Sequence, residues 1–341
     1  AAPVDCCESG STLRFLIPLA ALTGRPVAFT GRGRLMQRPQ SVYQELFASQ
    51  GLRFGQEGDT LTVAGPLRPG CFSLAGDVSS QFISGLLFAL PLLDGDSRLC
   101  LKPPVESRSY IEMTRAAQSR FGVASAWLDE YTLAVPGGQA YRPRDMAIEG
   151  DWSQAAFPAA LGALAGDVTV TGLEPGTLQG DAVILDILRR CGGRAEAVPG
   201  GVRFQKSALH GTKIDLADCP DLGPILMALG LLCEGETVIA NAGRLRLKES
   251  DRIAAMEQEL RKLGGRIESD GGTVTIRRSV LHAPAGPLWG HNDHRVVMSL
   301  TVLAAAAGLP VQIDGAEAVA KSWPGFFAAV RQLGVEVQTD A

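Results

Sequence analysis

At 341 residues the chain is long for one hydrophobic core, which predicts two domains. A formal charge of −4 offers no global attraction to nucleic acid or to a membrane surface, so any anionic ligand must be met by a local cluster of Arg and Lys. The seven cysteines show no CxxC or Cys/His metal spacing, and no apolar run reaches the ~18 residues of a membrane span without interruption; the reading is a reduced, cytoplasmic protein with inert thiols.

In chain order, one pair of helices returns five times. The first helix of each pair opens with a short polar cap and then runs apolar: CESGSTLRFLIPLA (7–20), GDVSSQFISGLLFAL (76–90), GDWSQAAFPAALGAL (150–164), CPDLGPILMALGLL (219–232) and NDHRVVMSLTVLAAA (292–306). A short strand rich in Val, Ile and Thr follows each, as in PVAFTG (26–31), SRLCLK (97–102), DVTVTG (167–172), ETVIAN (236–241) and PVQIDG (310–315). Then comes a polar loop and an amphipathic helix, with apolar positions such as Ile253, Met256, Leu260 and Leu263 at three- and four-residue spacing. These second helices close at Gly51, Gly122, Gly192, Gly264 and Gly334, a period of about 71 residues, and each glycine reads as a C′ stop. Strand pairs such as 52–65 and 265–278 turn at Gly58-Asp59 and Gly271-Gly272. The predicted unit is α-β-α-β-β, repeated, with the nearly uncharged capped helices inside. A boundary is expected near 140–149, giving lobes 1–148 and 149–341.

The polar residues at the capped openings differ between repeats while the apolar pattern persists, which places function at the helix N-termini. GDVSSQF (76–82) adds the hydroxyls of Ser79 and Ser80 and the amide of Gln81 to free backbone N–H groups, which suits a phosphate. Ordinary N-capping by Asp77 and the serines reads equally well. RLRLKESDR (244–252) sets Arg244, Arg246, Lys248 and Arg252 beside Glu249 at an expected helix start. That is either an exposed salt-bridged face or a basic cluster with one acid/base. In HNDHR (291–295), His291 and His294 invite a metal, but no third ligand is spaced for it; an Asp-His-Arg at a buried cap better orients Arg295 toward an anion. Lys321, Arg38 and Asp221, each taken singly, read as two solvated cations and a cap.

Taken together, SSQF, YIEMT, PD, LKESDR, NDHR and AKSWP, in this order and at repeat-locked positions, resemble the enolpyruvyl transferases, and within them the 5-enolpyruvylshikimate-3-phosphate (EPSP) synthases. The resemblance implies an α/β fold of two lobes. Each is built from repeated βαβαββ units around buried parallel helices, an inside-out α/β barrel whose helix N-termini face the cleft. It implies transfer of the enolpyruvyl group of phosphoenolpyruvate to the 5-hydroxyl of shikimate 3-phosphate with release of phosphate, by addition and elimination, without metal or other cofactor. By motif match Asp221 stands beside the attacking hydroxyl and Glu249 is the acid/base at C3. Shikimate 3-phosphate falls to Ser79, Ser80, Gln81, Ser107, Tyr110, Asp221 and Lys248. Phosphoenolpyruvate falls to Gly10, Arg38, Gln81, Arg252, His294, Arg295 and Lys321. Gly10 is also where a side chain would crowd glyphosate. No nucleic acid or membrane partner is implied, and a monomer is expected.

The chain departs from the family pattern in showing five units of six, which leads to the expectation of a missing N-terminal unit, an unfinished first lobe and little turnover. Glu8 and Arg244 stand where the family often has Asn, and Arg244 leaves one substrate contact open. Three other readings compete. The UDP-N-acetylglucosamine enolpyruvyl transferase carries a reactive Cys on the loop matching GRGRLMQRPQ (31–40), which has none here. An RNA 3′-phosphate cyclase would need a basic RNA track. The last is a non-catalytic or partner-dependent fragment.

Overall fold

The computed structural model describes residues 2–174 and 176–339. The chain divides into two compact units, Ala1–Ala147 and Ile148–Ala341.

The first unit runs β1 (Val4–Asp5), α1 (Gly10–Ala21), β2 (Val27–Thr30), α2 (Ser41–Ser49), β3 (Arg53–Glu57) and β4 (Thr60–Ala64). It then repeats the order with β5 (Cys71–Ala75), α3 (Ser80–Ala89), β6 (Ser97–Lys102), α4 (Arg108–Arg120), β7 (Ala126–Trp127) and β8 (Thr132–Val135). Two four-stranded sheets result, ordered β1-β2-β4-β3 and β5-β6-β8-β7. In each, the leading strand lies parallel to the next, with Val4 opposite Phe29 and Phe72 opposite Leu99, and the rest is antiparallel. The repeated unit is therefore β-α-β-α-β-β. The leading strand is absent from the α-β-α-β-β pattern expected from sequence: β1 is two residues long, and β5, which does alternate, pairs with β6 only across the intervening α3.

Helices α1 and α3 pack on each other inside this unit. Gly85 permits the approach: a methyl there would stand 2.3 Å from both the Arg14 carbonyl oxygen and the Tyr43 hydroxyl. Fully buried Tyr43 sets that hydroxyl 2.8 Å from the Arg14 carbonyl and 3.0 Å from the Phe82 carbonyl, satisfying its polar end within an apolar core.

The second unit runs α5 (Trp152–Ala165), β9 (Asp167–Thr171), α6 (Ile184–Arg190), β10 (Arg194–Val198), β11 (Gly201–Gln205), β12 (Lys213–Asp215), α7 (Gly223–Gly230), β13 (Glu236–Ala240), α8 (Arg252–Lys262), β14 (Arg266–Asp270) and β15 (Thr273–Arg277). It ends with β16 (Leu288–Trp289), α9 (His294–Ala307), β17 (Ile313–Asp314) and α10 (Phe326–Gln332). The sheets are ordered β10-β11-β9, β12-β13-β15-β14 and β16-β17. Among the described residues no strand pair follows α10. Helices α5, α7 and α9 form the interior, and Phe157, Leu226, Val297 and Leu300 on them are fully buried. All five closing glycines adopt left-handed φ, between 67° and 87°, as a C′ stop requires.

Candidate active site

In the first unit the openings of α1 and α3 gather polar groups. Ser9 caps α1 by accepting the Thr12 N–H at 3.1 Å, and Ser79 caps α3 by accepting the Gln81 N–H at 3.3 Å. A methyl built on Gly10 would stand 2.9 Å from Arg38 Nη1 and 3.1 Å from Gln81 Oε1, so these two side chains lie over the first turn of α1. Arg14, one turn into α1 and 3% exposed, holds Gln81 and the backbone beside Arg38: its Nη1 donates to Gln81 Oε1 at 2.8 Å and its Nη2 to the Pro39 carbonyl at 3.1 Å. The Gln81 amide in turn donates to Ser11 Oγ at 3.0 Å. Arg14 itself is held over the Phe82 ring, 4.5 Å from its centroid. Ser80 is buried at the start of α3. Ser107 takes a left-handed φ of 55° just before α4, with Tyr110 in its first turn. The Glu106 N–H donates to the Gly76 carbonyl at 3.1 Å, tying the loop ahead of α4 to the loop ahead of α3.

In the second unit the openings of α7, α8 and α9 meet around one carboxylate. Asp221 lies in a single tight turn, Pro220–Leu222, leading into α7. It accepts from Lys248 Nζ at 3.2 Å, Arg252 Nη1 at 3.0 Å and Arg295 Nη2 at 3.1 Å. Arg252 opens α8 and is 1% exposed. Its Nη2 donates to Glu249 Oε2 and its Nε to Asp293 Oδ2, both at 2.8 Å. Asp293, fully buried, caps α9 by accepting the Arg295 N–H at 3.0 Å and also accepts from Ser250 Oγ at 2.9 Å. The Arg295 guanidinium reaches Ser153 Oγ at 2.9 Å. Lys321 Nζ donates to the Asn292 carbonyl at 2.6 Å.

Three cations and three carboxylates thus interlock, which sets their protonation. Burial works to raise the Asp221 pKa, but Arg295, Lys248 and Arg252 outweigh it and hold the carboxyl well below the usual range. Burial likewise opposes the charge on Asp293, and Arg252 overcomes it and keeps the group ionised. For His294 burial comes first and the Arg295 charge adds to it, while the Asp293 and Glu249 carboxylates offset them only in part, so its pKa is pushed down to about 4 and it is neutral near pH 7.

Several sequence expectations change here. The helix after LKES starts at Arg252, with Asp251 as its cap accepting the Ala254 N–H at 3.0 Å, so Lys248 and Glu249 sit in the preceding loop. Of the four basic residues of that stretch, Lys248 and Arg252 reach Asp221, whereas Arg244 donates to the Ala217 carbonyl at 2.6 Å and Arg246 to Asp251 at 3.1 Å. Asp293 grips the side chain of Arg252, whereas the Arg295 guanidinium is steered by Asp221 and Ser153. His291 pairs with Glu259 at 3.1 Å. Among the described residues no three His, Cys, Asp or Glu side chains are grouped to hold a metal ion. Arg14 and Ser153 escaped the sequence reading: Arg14 stands between Leu13 and Phe15 in α1, Ser153 reads as part of the polar cap of α5, and neither carries a local signal of its distant partner.

The EPSP synthase (3-phosphoshikimate 1-carboxyvinyltransferase) family profile matches residues 1–330. A 3-phosphoshikimate 1-carboxyvinyltransferase of Clostridium kluyveri is 42% identical over 336 residues, covering 98% of this chain and 79% of the relative. That of Clostridium acetobutylicum is 41% identical over 338 residues, covering 98% of this chain and 78% of the relative. Among solved structures, EPSP synthase from Acinetobacter baumannii superposes with a TM-score of 0.77 at 22% identity, over 97% of this chain and 79% of that one. The enolpyruvyl transferase NikO from Streptomyces tendae gives 0.65 at 16% identity, over 99% and 96%. With the repeated β-α-β-α-β-β units already in place, the agreement along nearly the whole chain establishes that it belongs to the EPSP synthase family.

Proposed function

We propose that the chain transfers the enolpyruvyl group of phosphoenolpyruvate to the 5-hydroxyl of shikimate 3-phosphate and releases phosphate, a step of aromatic amino-acid biosynthesis. The observation that carries this reading is Asp221 with Lys248, Arg252 and Arg295 converging on it and Glu249 on the far side of Arg252. Addition–elimination between two anions needs this combination. Guanidinium forks neutralise phosphate and carboxylate, and two carboxylates handle protons on two different atoms.

In this reading the hydroxyl gives its proton to Asp221 as it adds to C2 of phosphoenolpyruvate, while C3 gains a proton carried by Glu249. Glu249 then takes a proton back from C3 as the C2–O bond to phosphate breaks, and the proton held at Asp221 leaves with the phosphate. Arg252, Arg295, Lys321 and the neutral His294 receive phosphoenolpyruvate in the second unit, and Lys248 and Asp221 receive shikimate 3-phosphate. In the first unit, Gly10, Arg38 and Gln81 serve phosphoenolpyruvate, and Ser79, Ser80, Gln81, Ser107 and Tyr110 serve shikimate 3-phosphate. The site draws only on protein side chains and the two substrates, in a cytoplasmic monomer. None of the described helices is long and apolar enough to cross a membrane.

The test is phosphate release with both substrates present. Release that needs both and collapses in Glu249→Gln supports the reading; release from phosphoenolpyruvate alone, or unaffected by that change, contradicts it.

A further inference from the structure

We infer that Glu259 is a positioning residue for the phosphoenolpyruvate end of the site, acting through the turn ahead of α9. The inference rests on the proposed function for its ligand, but its structural core does not. Glu259 lies on α8 seven positions after Arg252, two helical turns on and therefore on the same face. Both side chains point at the segment that opens α9. Arg252 takes the cap residue Asp293, while Glu259, fully buried, takes the residues just before it. One carboxylate oxygen accepts the Trp289 backbone N–H at 2.9 Å and Lys262 Nζ at 2.7 Å; the other faces His291 Nε2 at 3.1 Å.

The position of this grip gives it consequence. His291 and Asn292 are consecutive non-glycine residues in left-handed conformation, with φ of 51° and 52°. Such a pair costs free energy and persists only where its surroundings impose it. The strained pair sets where the Asn292 carbonyl stands, and that carbonyl holds Lys321 Nζ at 2.6 Å. It also sets how Asp293 meets the first turn of α9, which carries His294 and Arg295. A buried carboxylate fully engaged by donors on one side of a strained turn, with three proposed ligand residues hung on the other, is a device for aiming those residues. A solvated salt bridge would not need its carboxylate sealed from water.

The experiment compares Glu259→Ala, Glu259→Gln, and Glu257→Ala, which removes an ion pair with Arg261 on the same helix away from this turn. Native-state amide exchange of the unliganded chain reads the geometry, and calorimetric titration with phosphoenolpyruvate reads its use. In Glu259→Ala, exchange at Trp289 and Arg295 should accelerate about tenfold or more, and phosphoenolpyruvate binding should weaken about tenfold. The Gln side chain still accepts the Trp289 N–H, so Glu259→Gln should restore both to within roughly threefold. Glu257→Ala should change neither. Unaltered exchange in Glu259→Ala, or equal acceleration in Glu257→Ala, overturns the inference. Intact exchange effects with no phosphoenolpyruvate uptake by the unaltered chain would instead overturn the functional reading. Should Glu259→Ala not fold, His291→Ala removes one arm of the grip; it should accelerate Arg295 and leave Trp289 unchanged, and no change at Arg295 counts against the inference.

Discussion

Arg252 directs its Nε at the fully buried carboxylate of Asp293, 2.8 Å away and 41 positions along the chain. This pair joins the start of α8 to the start of α9 and holds the guanidinium still while its outer nitrogens reach Asp221 and Glu249. A buried pair is a weak source of net stability, because desolvation offsets the Coulomb gain, but losing one partner leaves the other charged and stranded.

Asp293→Ala should therefore destabilise the second unit by roughly 2–4 kcal/mol, since it removes the charge-assisted hydrogen bond to Arg252 Nε, leaving that guanidinium only Asp221 and Glu249, and also removes the α9 cap. Urea unfolding checks this. A cost below about 1 kcal/mol would mean that the pair is solvated like a surface salt bridge.

The neutral, buried His294 gives acid sensitivity with a defined window. Its pKa falls from 6.5 to about 4 on folding, so between those values the unfolded chain binds the extra proton. Stability should be fully retained above pH 6.5, drop by roughly 3 kcal/mol as the pH falls to about 4, and gain no further loss from this group below that. The depressed carboxyls of Asp221 and Asp293 then take over, as protonation of each removes stability at still lower pH. His294→Gln should flatten the curve between pH 6.5 and 4; an unchanged slope would assign the effect elsewhere.

Gly85→Ala should be among the most damaging single changes in the first unit. The added methyl would meet the Arg14 carbonyl and the Tyr43 hydroxyl at 2.3 Å; relieving the first separates α1 from α3, and relieving the second displaces the fully buried Tyr43 ring of α2. Overpacking of this kind costs about 1–3 kcal/mol or more, measurable as a lower midpoint of thermal unfolding.

Gly10→Ala is the contrasting case. Its methyl would meet the Arg38 guanidinium at 2.9 Å and Gln81 Oε1 at 3.1 Å, both side-chain ends rather than backbone, so folding should suffer less than in Gly85→Ala. Moving that guanidinium alters the anion cradle instead. Competition titrations should show glyphosate weakened more than phosphoenolpyruvate; equal weakening would contradict this use of the space.

Much of this was legible in sequence where the signal is local and periodic. The glycines at 51, 122, 192, 264 and 334 announce a repeat, and each is a left-handed helix stop in the fold. The ordered motifs SSQF, LKESDR and NDHR named the family before any geometry. What escaped is non-local. The leading strands lie apart from the strand they pair with, which follows an intervening helix, and β1 is only two residues long. Arg14 sits between apolar neighbours in α1 and becomes informative only once Gln81, 67 positions later, is beside it. The role of Asp293 as the anchor of Arg252 is invisible beside the nearer Arg295. Glu259 looks like one more charge in QELRKL, yet it is sealed from solvent.

The most direct measurement of the central claim is phosphorus NMR of the chain mixed in stoichiometric amount with phosphoenolpyruvate and shikimate 3-phosphate, so that even slow turnover accumulates. The expected result is growth of inorganic phosphate and the enolpyruvyl ether of shikimate 3-phosphate in equal amounts, abolished by Glu249→Gln. Persistence of both starting resonances, or phosphate appearing without the ether, would contradict it.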